Sequence, residues 1–162
     1  MAFRRRAPRL FRRVPGGVEV TLGAPERELI AGLFAQLRDL ITTSPDDPAL
    51  RRLFPPAYHL SDDVAAETEW QRLMHPELAA QRLAALDTVS GLLATDRPLT
   101  DEDMLTLMQA VNAVRLVLGT LLDVDEEHDP RRVDPEDPSA GQHHLYAWLG
   151  YMLESAIDVS RG

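Results

Sequence analysis

The stretch TDEDMLTLMQAVNAVRLVLGTLL, residues 100–122, decides the fold. Met104, Leu107, Met108, Val111, Val114, Leu118 and Leu121 recur every three or four residues, which is the period of a helix with one apolar face. Thr100 followed by Asp103 is an acidic form of the capping box, in which each side chain takes up a backbone amide that the first turn leaves without a partner. Gly119 lies near the far end. A helix this apolar needs other helices packed around it.

Upstream, Pro25 suits the first turn of a helix, and Glu26 and Glu28 sit at its positive end. Leu29, Ile30, Leu33, Phe34, Leu37, Leu40 and Ile41 then form one stripe, ended by Ser44-Pro45-Asp46-Asp47-Pro48. A short helical turn is expected over Ala49 to Phe54, before Pro55-Pro56 forces extended backbone. Asp62 and Asp63 can cap a helix from about Val64 to Met74. His75-Pro76 is expected to break or kink it, with Pro76 opening the next helix, which carries Leu78, Leu83, Leu86, Val89, Leu92 and Leu93.

Downstream, residues 123–141 hold eight carboxylates and three prolines, which predicts a mobile acidic loop, with a weak helix as the alternative. A last helix begins near Ser139 to Gln142, with Leu145, Trp148, Leu149, Met152, Leu153, Ala156 and Ile157 at helical spacing. At the other end, Leu10 to Val14 and Val18 to Leu22 alternate apolar and polar around Pro15-Gly16-Gly17, a hairpin signal. The fold class is therefore mainly α: a small helical bundle with a minor N-terminal β-hairpin. Residues 1–24 make a basic arm and hairpin, and 25–162 a single helical domain.

The chain has 162 residues and a net charge of −9, unevenly spread. Arg4, Arg5, Arg6, Arg9, Arg12 and Arg13 fall in the first 13 residues, leaving 11 basic against 26 acidic residues beyond them. Such a body repels nucleic acid, so DNA contact is expected only through the arm, where Phe3 and Phe11 interleave with arginine. The same arm suits an acidic partner or the domain's own acidic face. There is no cysteine, which excludes disulfides, thiolate metal sites and a thiol switch in this chain. The basic start lacks the apolar run of a signal peptide, and no stretch approaches about 18 consecutive apolar residues. The expectation is a cytoplasmic protein without membrane contact.

No catalytic constellation stands out. His143 and His144 are adjacent, which is poor spacing for one metal on one helix face, and His59, His75 and His128 lack a ligand-spaced neighbour. Asp63 and Glu67 share a face at i,i+4 but are more simply solvated or paired with Arg. No phosphate-binding glycine loop and no nucleophile elbow is present. The helix after Leu93 opens with carboxylates, unlike a DNA-recognition helix. No catalytic residue, metal or cofactor is therefore expected. The polar pair to watch is Asn112 and Arg115, three apart on the apolar helix. The plain reading is a partly buried ion pair of Arg115 with Glu67 or Glu69, with Asn112 tying down a helix end or loop. The functional one is a pocket for an acidic group, with Tyr58 beside it.

Three segments complete the pattern. They are Leu53-Phe54-Pro55-Pro56-Ala57-Tyr58 with Asp62-Asp63 and Ala66-Glu67, then VNAVRLVLGT at 111–120, then LYAWLGYMLE at 145–154. With the hairpin, they resemble the AosR-like family of actinobacterial oxidative-stress regulators, catalogued as a domain of unknown function. The resemblance implies a helical, non-enzymatic regulator that binds the transcription machinery, a stress sigma factor or RNA polymerase, in support of cysteine-biosynthesis and antioxidant genes. Tyr58, Asn112, Arg115, Tyr146 and Trp148 become the candidate partner or pocket residues. Neighbouring protease-adaptor genes in the family keep a proteolysis-linked role open, as an alternative beside arm-mediated nucleic-acid binding and a small-ligand or enzymatic pocket near Arg115. Homo-oligomerisation also stays open, since an apolar stripe can serve as a dimer seam.

Overall fold

The computed structural model describes residues 8–54, 64–129 and 132–162. Strand β1 (Phe11–Val14) pairs antiparallel with β2 (Gly17–Val20). The turn between them works because Gly16 and Gly17 take φ of 90° and 148°, which L side chains rarely adopt. Helices α1 (Ala24–Thr43), α2 (Val64–Leu93), α3 (Asp101–Leu121) and α4 (Ala140–Arg161) follow, with a 3-10 turn at Pro48–Leu50 between α1 and α2.

Helix α3 is the hub, touching α4, α2, α1, the 3-10 turn and β2. Its start has both halves of the predicted capping box: Asp103 N donates to the Thr100 hydroxyl (3.1 Å), and Thr100 N donates to the Asp103 carboxylate (3.0 Å). Met104, Leu107, Val111, Val114 and Val117 face inward. They meet Ile30, Phe34, Leu37 and Ile41 of α1, Leu86 and Val89 of α2, and Leu149, Met152 and Ala156 of α4. Each such side chain contributes roughly 1.5–3 kcal/mol on burial, so the bundle rests on this one core. Three stripe residues miss it. Leu29, Leu121 and Ile157 are exposed, because each lies next to a core position and about 100° round the helix from it, or past the end of the core. Among the described residues α3 alone is long and apolar enough to cross a bilayer, and half of that window is buried inside the bundle.

The expected break at His75-Pro76 does not occur: α2 is one helix of 30 residues with Pro76 inside it. Proline removes the bond to the carbonyl of Arg72, but both residues are exposed, so water can serve that carbonyl. Flanking contacts hold the first half in register. Arg72 pairs with Glu69 (2.7 Å), Gln71 donates to Glu67 (2.7 Å), and His75 packs on Phe54 with ring centroids 4.4 Å apart. The Asp62-Asp63 cap lies outside the described residues.

The hairpin is stitched into the bundle rather than hung on it. Val18 and Leu99 exchange both backbone bonds (2.8 and 2.7 Å), so the residue before the α3 cap acts as a third strand one residue long. Arg27 of α1 donates to the carbonyls of Val20, Leu22 and Leu93, tying the hairpin and the end of α2 to one guanidinium.

Candidate functional site

Helices α3 and α4 carry the same spacing, a large polar side chain followed four residues later by glycine: Arg115 and Gly119, Tyr146 and Gly150. Residues four apart lie one above the other on a helix, so each helix offers the other a bare patch. Arg115 lies against Gly150, where an added Cβ would stand 3.3 Å from its Nε. Tyr146 lies against Gly119, where a Cβ would stand 2.9 Å from its ring. The two side chains then meet, the Arg115 guanidinium carbon 4.3 Å from the Tyr146 ring centroid, in cation–π range.

This arrangement corrects the ion-pair expectation. Among the described residues no carboxylate lies within salt-bridge distance of Arg115, and Glu69 is taken by Arg72 while Glu67 accepts from Gln71. The Arg115 Nε is buried with no hydrogen-bond partner among the described residues.

The segment after α3 closes one side of the site. Asp123 turns the chain in the left-handed region (φ 53°) and Val124 is buried, its amide bound to the Gly119 carbonyl (2.8 Å). The Val124 carbonyl accepts from Arg52 Nη2 (2.8 Å), which brings a second guanidinium beside Gly119. His128 reaches α4, with its Nε2 3.3 Å from His143 Nδ1 and the two rings stacked at 4.9 Å. Its edge faces Tyr146 at 6.1 Å. Further on, the Ser139 hydroxyl and then its amide hold the Asp137 carboxyl below the usual range at the entry to α4. The result is an open cleft of about 720 Å³, floored by Arg115, Arg52 and Tyr146 and rimmed by Asp125, Glu126 and Glu154. Among the described residues no group of three or more His, Asp or Glu is placed to hold a metal ion.

The other candidates lie elsewhere. Asn112 is exposed and lines a separate groove between α2 and α3 with Gln109 and Arg82, so it does not share the cleft with Arg115. Trp148 packs on the core. Tyr58 lies outside the described residues, as do Arg4, Arg5 and Arg6. Of the rest of the arm, Arg9 is exposed, Arg12 pairs with Glu19, and Arg13 pairs with Asp101 (3.1 Å) and donates to the Val159 carbonyl at the end of α4 (2.9 Å). Arg52 has no signal of its own in the sequence, and nothing about His128 or Gly150 there points to this cleft. Their roles appear only when the chain folds back across 72 residues from Arg52 to Val124 and 15 from His128 to His143.

Comparison with known proteins gives this fold its kinship. The family model described as a domain of unknown function, DUF2017, matches residues 5–160. The chain is similar to the oxidative stress regulator AosR of Mycobacterium tuberculosis and of Mycobacterium bovis, 35% identical over 136 residues in each case, covering 73% of this chain and 60% of the relative. It is also similar to the putative oxidative stress regulator AosR of Mycobacterium leprae, 33% identical over 127 residues, covering 70% of this chain and 58% of that protein. The chain thus spans about three fifths of the length of the curated relatives it matches. No solved structure matches it. With a family match across nearly its whole length and relatives at this identity, the chain belongs to the DUF2017 family.

Proposed function

We propose that this chain is a non-enzymatic regulator of the oxidative-stress response, acting in the cytoplasm by binding a protein of the transcription machinery, a sigma factor or an RNA polymerase subunit. The observation that carries this reading is the kinship across residues 5–160 with proteins named as oxidative stress regulators. The Arg and Tyr side chains gathered in the α3–α4 cleft support it, since these residue types dominate the energetics of protein interfaces. Because the chain has no cysteine, a signal would reach it through its partner or a ligand rather than through its own thiols. The test is affinity purification of the tagged full chain from its native host, with and without peroxide. Recovery of a sigma factor or polymerase subunit is the expected result, and its consistent absence under both conditions removes the proposal. Nucleic-acid binding through the arm is the weaker reading, because Arg12 and Arg13 are already engaged within the fold.

A further inference from the structure

We infer that the α3–α4 cleft is a binding site for a small zwitterion of the amino-acid class, its carboxylate on Arg115 and its ammonium toward the acidic rim. The inference uses the cleft that also supports the proposed partner, but its test, ligand binding by the free chain, is read independently of partner recovery.

Arg115 is the starting point. A guanidinium has five donors and normally finds acceptors for them when it is taken out of water. Here one face is covered by Tyr146, the Nε is sealed without a described partner, and no described carboxylate lies within salt-bridge distance. The helices give up stability for this geometry. A glycine inside a helix costs roughly 0.8–1 kcal/mol relative to alanine, and both Gly119 and Gly150 are placed where a methyl group would press on Tyr146, Arg52 or Arg115. The cation is therefore held in one orientation beside an open cleft, its fork pre-set for a planar acceptor.

The rim selects among acceptors. Two guanidinium groups face three carboxylates, Asp125, Glu126 and Glu154, so the lining as a whole does not favour a multiply charged anion such as phosphate. A ligand bearing both signs meets attraction at each end, and one lacking its cation meets the carboxylates unpaired.

The experiment titrates the full chain calorimetrically with each protein amino acid in turn, with the N-acetylated form of any that binds, and with acetate and inorganic phosphate. The expected result is saturable binding of at least one amino acid, weakened by about tenfold or more on N-acetylation. Arg115→Met should weaken it by about tenfold or more while shifting the melting temperature by less than about 3 °C, because no ion pair within the fold is lost. Glu154→Gln, an exposed substitution, should weaken the amino acid and leave acetate unaffected, which keeps the test valid should Arg115→Met fail to fold. No saturable binding up to about 10 mM, phosphate or acetate binding as tightly as any amino acid, or binding indifferent to both substitutions would overturn the inference.

Discussion

Gly17 and Leu99 meet backbone to backbone: a Cβ added to Gly17 would stand 2.2 Å from the Leu99 carbonyl oxygen, and the residue already has a φ of 148°. Neither obstacle can be relieved by a rotamer change, since the neighbour is main chain. Gly17→Ala is therefore expected to destabilise the protein by about 2–4 kcal/mol, a fall in Tm on the order of 5–10 °C. Gly16→Ala, where nothing lies within reach, should cost less, its penalty being φ alone. Thermal unfolding of the two variants side by side checks this, and equal losses would show that the contact with Leu99 is not the cause.

Asp103 links the α3 cap to solution pH. Arg97 (2.7 Å) first, and the Thr100 amide second, hold its carboxyl below the ordinary value of 3.8. A carboxyl depressed on folding stabilises the protein above its unfolded pKa and loses that contribution as pH falls through the folded one. Asp103→Asn is expected to cost about 1 kcal/mol near neutrality, and the gap to the parent should close in acid, below the ordinary value. Urea midpoints at neutral and acid pH measure it. A gap that persists in acid would mean that shape rather than charge matters at this cap.

Pro76 is tolerated, not needed. It sits inside α2 in an exposed position. Pro76→Ala restores the missing amide and should raise stability by about 1–3 kcal/mol, offset in part by a freer unfolded chain. A drop in Tm would reveal a bend that the packing of α2 requires.

The arm has fewer free charges than its sequence suggests. With Arg12 and Arg13 engaged, at most four arm arginines, Arg4, Arg5, Arg6 and Arg9, are left to meet phosphates. Any DNA binding should show a slope of log K against log salt no steeper than about −3.6, from roughly 0.9 per phosphate. A steeper slope would require Arg12 or Arg13 to leave its place in the fold.

Local chemistry made much of this architecture legible. The capping box at Thr100, the stripe behind it and the glycine turn of the hairpin are each short-range patterns, and the structure has all of them. What the sequence hid depended on long-range closure. The single helix through Pro76 follows from solvent reaching the Arg72 carbonyl, which no spacing rule conveys. Charge is the strongest rule for a buried cation and points Arg115 to a carboxylate, yet the fold meets it with an aromatic face. Arg-x-x-x-Gly on one helix and Tyr-x-x-x-Gly on another were both visible, but only the crossing of α3 and α4 gives them meaning.

The seam between hairpin and last helix brings the two extremities of the described chain to one corner. Arg13 reaches the carbonyls of Val159 and Ser160, and the Tyr151 hydroxyl lies 3.3 Å from the carbonyl of Pro8. Residues 9 to 13 and the end of α4 line one groove, so the first described residues and Gly162 share one side of the bundle. A short linker closing the circle there, with new ends cut at another surface turn, should leave the helical body intact.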